Sequence, residues 1–126
     1  MILLDSNIVI EVINHNAEAL SLIQQWPSDK TFISIISEWE VLAGAKSKPN
    51  QTQFLKALNR YNVIHLDKEI SKLTGILLKT YRLGHSLSIP DALIAATAIR
   101  YKIPLLTLNV KYFQFIQGLE WRTMST

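Results

Sequence analysis

Short apolar runs alternate along this chain with longer segments of helical period. Ile2-Leu3-Leu4 has no polar residue between its aliphatic ones, the pattern of a strand buried on both faces. Thr31-Phe32-Ile33-Ser34-Ile35 is rich in β-formers and predicts a second strand. Val63-Ile64-His65, Leu105-Leu106-Thr107 and residues 119–122 predict shorter ones. Between them, residues 6–14, 17–26, 37–46 and 51–59 read as helices, with turn chemistry at Pro27-Ser28-Asp29 and a break at Lys48-Pro49-Asn50. Ile70, Leu73, Ile76, Leu77 and Tyr81 keep helical spacing, so a long helix is predicted over 68–83 with Gly84 as its stop. Pro90 opens another helix through Ala92, Ala95, Ala96 and Ala98, and Pro104 lies just past its end.

Apolar strands separated by helices imply parallel β-α units. The predicted fold is α/β, a three-layer α/β/α sandwich around a mainly parallel sheet of four to five strands. In such sheets ligands bind beyond the carboxyl ends of the strands, near the switch in strand order. The residues directly after each strand are therefore where chemistry is expected.

At 126 residues, and without a repeat or linker, the chain is expected to form a single domain over 1–126. It has no cysteine, which excludes a disulfide scaffold, a thiol nucleophile and a Cys-ligated metal. Apolar residues make up 48% and charged ones 18%, a balance that argues against disorder. Met1-Ile-Leu-Leu meets Asp5 with no basic segment before it, so no signal peptide is expected and the cytoplasm is the expected location. The formal charge of +3 is too small to imply a polyanionic partner by itself.

Three acids fall where the fold would put a site. Asp5 follows the first strand, Glu40 lies in the helix after the second, and Asp91 lies in the first turn of the alanine-rich helix. They are 35 and 51 residues apart, so only tertiary structure can bring them together. Converging carboxylates suit a hard cation such as Mg²⁺ or Mn²⁺. Each also has a plainer role. Asp5 could cap the helix at Ser6. Ser37-Glu38-Trp39-Glu40 matches a capping box. Asp91 after Pro90 would favour the helix dipole. Glu38 and Glu40 lie about 200° apart on a helix and cannot point the same way. Glu40 is preferred because Ala43 and Gly44 on its side would allow close packing.

Four blocks carry a family resemblance: Leu4-Asp5-Ser6-Asn7, Glu40-Val-Leu-Ala-Gly44, Ile89-Pro90-Asp91-Ala92-Leu93-Ile94-Ala95-Ala96-Thr97-Ala98, and Leu106-Thr107-Leu108-Asn109-Val110-Lys111-Tyr112-Phe113. With them the chain resembles the PIN domain, and within it the small VapC-like toxin ribonucleases. The third block is the most specific. The resemblance implies that Asp5, Glu40 and Asp91 bind Mg²⁺ or Mn²⁺ and cleave RNA phosphodiesters. It also implies that Ser6, Asn7, Thr107 and Asn109 hold the carboxylates or ordered water. Many PIN domains carry a fourth acid in the last block. Here Asn109 and Tyr112 occupy it, and no Asp or Glu occurs between Asp91 and Glu120, so one firm metal is expected and a weaker second.

The resemblance further implies a homodimer and a small antitoxin that inhibits the acidic site. Lys68, Lys72, Lys79 and Arg82 share an arc of about 80° on the long helix, either a phosphate track or a solvated face. Lys46, Lys48, Arg100, Lys102 and Lys111 are further basic candidates without a spacing argument. His15, His65 and His85 lack ligand spacing and read as surface or strand-end residues. Trp26 reads as core, and Trp39, next to Glu40, as core or partner surface. Two other functions fit in outline: a catalytically weak RNA-binding PIN domain, motivated by Asn109, and a receiver-like Mg²⁺-binding signalling domain. The receiver matches poorly, because Asp5 stands alone after its strand and His65-Leu66-Asp67 is a weak phospho-acceptor block. If Asp5, Glu40 and Asp91 hold metal, seven acids remain against thirteen basic residues. An acidic pocket inside a basic surface would then draw in a polyanion.

Overall fold

The computed structural model describes residues 1–124. Its strands are β1 (Ile2–Leu4), β2 (Thr31–Ser34), β3 (Asn62–Ile64), β4 (Leu105–Leu106) and β5 (Trp121–Arg122). Its helices are α1 (Ser6–Ile13), α2 (Ala17–Ile23), α3 (Ile35–Ala43), α4 (Lys48–Leu58), α5 (Lys68–His85) and α6 (Ile89–Tyr101). The sheet runs β3-β2-β1-β4-β5 with every pairing parallel. This is the expected α/β sandwich. A receiver would carry the order 2-1-3-4-5, which this sheet does not have.

Strand β1 explains the layers. Its three residues are fully buried because both faces are covered. Ile2 and Leu4 point into a cluster with Ile8, Val9, Val12, Ala19, Ile33 and Leu58, under α1, α2 and α4. Leu3, one residue out of phase, points into the other cluster with Ile70, Leu77, Ala92, Ala95, Ala96 and Leu105, under α5 and α6. The alanines of α6 have a packing role: small side chains let it lie close against the sheet and α5.

Chain order along the sheet moves outward from β1 through β2 to β3, then returns to β4 on the other side of β1. The switch point therefore lies between β1 and β4, and a crevice is expected beyond their carboxyl ends. Among the described residues, no helix is long and apolar enough to cross a membrane.

Several boundaries differ from the sequence reading. Pro49 does not break a helix; it sits in the first turn of α4, where its missing N–H costs nothing, and Ser47 caps that turn. Gly84 does not stop α5, which continues to His85 and ends on Ser86 in the left-handed conformation at φ 57°. Helix α3 starts at Ile35, because Ser34 accepts from the Ile36 amide and caps it. The predicted capping box is therefore absent. Ser37 is buried with its hydroxyl unpartnered, and Glu40 lies in the second helical turn. Gly44 allows no close approach either: it ends α3, and an added Cβ would meet only that helix's own carbonyls.

Candidate active site

Asp5 stands at the carboxyl end of β1 and is buried, at 4% exposure. Its backbone N–H donates to Leu106 O of the neighbouring strand. Its Oδ1 accepts from the Ser6 amide at 2.8 Å, so it caps α1. Its Oδ2 accepts from Asn7 Nδ2 at 3.2 Å and from Thr107 Oγ1 at 2.7 Å. The Asn7 carbonyl oxygen in turn accepts from the Leu108 amide, and Thr107 Oγ1 from the Asn109 amide. The two strand ends at the switch point are thus stitched together through one carboxylate.

Thr107 is fully buried, so its hydroxyl has a single orientation that satisfies both partners. Asn109, by contrast, contributes its backbone N–H and is itself exposed. The sequence grouped these four polar residues without distinguishing them. The structure separates Asn7 and Thr107, which hold Asp5 by side chain, from Asn109, which steadies Thr107 by main chain.

Asp91 is the third residue of α6, and its N–H donates to the Ser88 hydroxyl that caps the helix. Glu40 reaches the same region from α3, whose buried residues include Ile36 and Ser37, one turn before it. Glu38, in the first turn of α3, belongs to another face.

All three carboxyls are pushed above the usual range. For Asp5 the main cause is burial, opposed by its hydrogen bonds from Thr107, Ser6 and Asn7. For Glu40 it is burial, opposed by the Ser6 hydroxyl and reinforced by the charges of Asp5 and Asp91. For Asp91 it is burial and then the charge of Asp5, opposed by Ser88. The acids therefore feel one another across 35 and 51 residues of sequence. Among the described residues, no three such groups already surround one ligation point. The three carboxyls are near enough for their charges to interact across one region.

Whether a divalent cation suits this space is tested by one atom. Glu40 Oε1 is buried and has no hydrogen-bond partner. A buried carboxylate oxygen without a donor is costly, and a hard cation is the partner that this all-oxygen set would satisfy. The residues present fit a divalent metal.

The remaining candidates lie elsewhere. Lys68, Lys72, Lys79 and Arg82 are exposed on the side of α5 away from buried Ile70, Thr74 and Leu77. Arg82 Nη1 also donates to the Ser86 and Leu87 carbonyls, pinning the turn between α5 and α6. Asp67 caps α5 and accepts from the Tyr101 hydroxyl at 2.9 Å. Trp26 packs against the α1–α2 cluster. Trp39 is 54% exposed, so the core alternative for it fails. His85 is a surface residue as expected, and it stacks on Phe115, a contact that no local pattern in the chain signals.

Comparison with known proteins gives this geometry a setting. The family model for the PIN domain matches residues 2–115. Ribonuclease VapC1 of Rickettsia felis is 33% identical over 112 residues, 82% of this chain and 84% of that protein. Among solved structures, a toxin–antitoxin complex from Klebsiella pneumoniae superposes with a TM-score of 0.79 at 33% identity, covering 94% of this chain and 95% of that one. VapBC2 from Rickettsia felis, bound to a DNA fragment from its promoter, superposes with a TM-score of 0.83 at 27% identity over 99% of this chain and 100% of that one.

Proposed function

The chain belongs to the PIN domain family, and from that premise we propose that it is a divalent-metal-dependent endoribonuclease, the toxin of a toxin–antitoxin pair. The observation that carries the chemistry is the set of three desolvated, mutually repelling carboxyls, Asp5, Glu40 and Asp91, at the β1–β4 switch point. These would hold Mg²⁺ or Mn²⁺. Such an ion, when bound, offsets phosphodiester charge and favours ionisation of an attacking water.

The chain's own residues do the rest. Ser6, Asn7 and Thr107 fix the Asp5 carboxylate, and the Ser88 cap fixes the start of the helix bearing Asp91. With Asn109 uncharged, three negative charges face the substrate, which suits one firmly held ion. Lys68, Lys72, Lys79 and Arg82 offer phosphate contacts along α5.

Relatives solved as toxin–antitoxin complexes support a cognate antitoxin for this chain as well. A homodimer and cytoplasmic action complete the reading, and exposed Trp39 beside Glu40 is a candidate partner contact. The test is cleavage of an RNA pool by the purified chain. Asp5→Asn, and separately an excess of EDTA, should reduce cleavage to background with the fold intact. Cleavage that survives both would sink the reading. Growth arrest on expression, relieved by co-expressing the adjacent open reading frame, tests the pairing.

A further inference from the structure

An aromatic group outside the acidic site has no part in the mechanism so far. His85, the last residue of α5, lies flat on Phe115, with ring centroids 4.1 Å apart and planes within 3°. Tyr81, one turn earlier on α5, meets His85 edge-on at 5.9 Å and Phe115 at 5.2 Å. Its hydroxyl accepts from the Gln117 amide. Tyr81 and Phe115 are partly buried against the α5–α6 cluster, so the base of the group is held by the core. His85 is exposed and is not among the residues of that core. Phe115 covers one face of the imidazole and Tyr81 meets its edge, while His85 as a residue is exposed.

The position of this ring is not arbitrary. Asp91 lies only six positions further along the chain, so their Cα atoms are at most about 20 Å apart. The turn between them is rigid, because Arg82 holds the Ser86 and Leu87 carbonyls and Leu87 is buried. Arg82, one turn before His85, and Lys79 put positive charge on the same end of α5. A flat, supported ring beside cations, within a few nucleotides of the acids, has the features that bind single-stranded RNA: a phosphate contact and a π-face for a base.

We propose that His85, backed by Phe115 and Tyr81, is a stacking platform for an unpaired nucleobase of the RNA substrate, flanking the scissile phosphate. The proposal rests on the ribonuclease reading above and adds to it a determinant of how the substrate is placed. Stacking accepts any base, so the platform favours unpaired over duplex RNA rather than one sequence.

The test uses the full chain in EDTA, so that RNA is bound without being cut. The probe is a fluorescein-labelled single-stranded 10-mer oligoribonucleotide, titrated by anisotropy. His85→Ala should weaken binding by about tenfold, and His85→Phe, which keeps a stacking ring, should restore it. Since His85 is exposed, both variants should melt with the wild type. Equal affinity of His85→Ala and wild type would overturn the platform while leaving the ribonuclease reading intact. A His85→Phe variant as weak as His85→Ala would also overturn it. Absence of any RNA binding by the wild-type chain in EDTA would overturn the platform and leave metal-dependent cleavage to its own test.

Discussion

Asp5 does two jobs that the sequence posed as alternatives. One oxygen caps α1, and the other is held by Asn7 and Thr107 at the strand ends. A capping carboxylate can therefore also face a site, and reading one role does not exclude the other. The Thr107 hydroxyl is the most exacting of these contacts, since it is fully buried and bridges Asp5 to the Asn109 amide. Thr107→Val keeps the shape and removes both bonds. It should cost about 2 kcal/mol by denaturant unfolding, with Thr107→Ser closer to wild type. The sign of the carboxyl shifts yields a second expectation. A carboxyl raised in the folded state contributes stability present below its unfolded pKa and lost as pH rises through the folded one. Asp91→Asn should thus melt higher than wild type at neutral pH in EDTA, with the advantage shrinking toward acid. Adding Mg²⁺ should stabilise the wild type and not the variant. Melting temperatures at pH 4 and 7, with and without metal, check both statements.

At the scale of elements, the corrections at α3 and α4 share a cause: the side chain that caps a helix was hard to choose from sequence. Ser34 and Ser37 are both reasonable caps for α3. Ser34 takes the role because β2 passes straight into the helix, with no loop between them. That choice moves Glu40 from a capping position to the second turn, where it meets the charges of Asp5 and Asp91. Pro49 was ambiguous in the same way, since proline is unfavourable inside a helix and favourable in its first turn. Helix α6 was clearer, because Ser88 and Pro90 agree about where it starts. Its cap also sets the position of Asp91. Ser88→Ala should cost about 1 kcal/mol in stability. It should lower RNA cleavage by more than that loss of folded protein accounts for, measured at a temperature where the variant remains folded.

For the whole molecule, the charge becomes clearer once divided. Three of the ten acids gather at the β1–β4 switch point, while the lysines of α5 stay exposed. RNA affinity measured in EDTA should therefore fall steeply with salt. Each of Lys72→Ala and Lys79→Ala should reduce the slope of log K against log salt by about 0.7 if it meets a phosphate. An unchanged slope would mark the ridge as a solvated face. The fold class, the strand runs, the alanine face of α6 and the positions of Asp5 and Asp91 were all legible in the chain, because they follow from local spacing and from where parallel sheets place their ligands. Which serine caps α3, which polar groups hold Asp5, and the stacking of His85 on Phe115 were decided by tertiary structure alone. These depend on contacts between residues far apart in sequence, from 30 residues for the ring pair to 102 for Thr107 and Asp5, or on how a strand meets its helix in space. No local pattern encodes such distances. The chain specifies which groups are available, and packing at the switch point decides which of them meet.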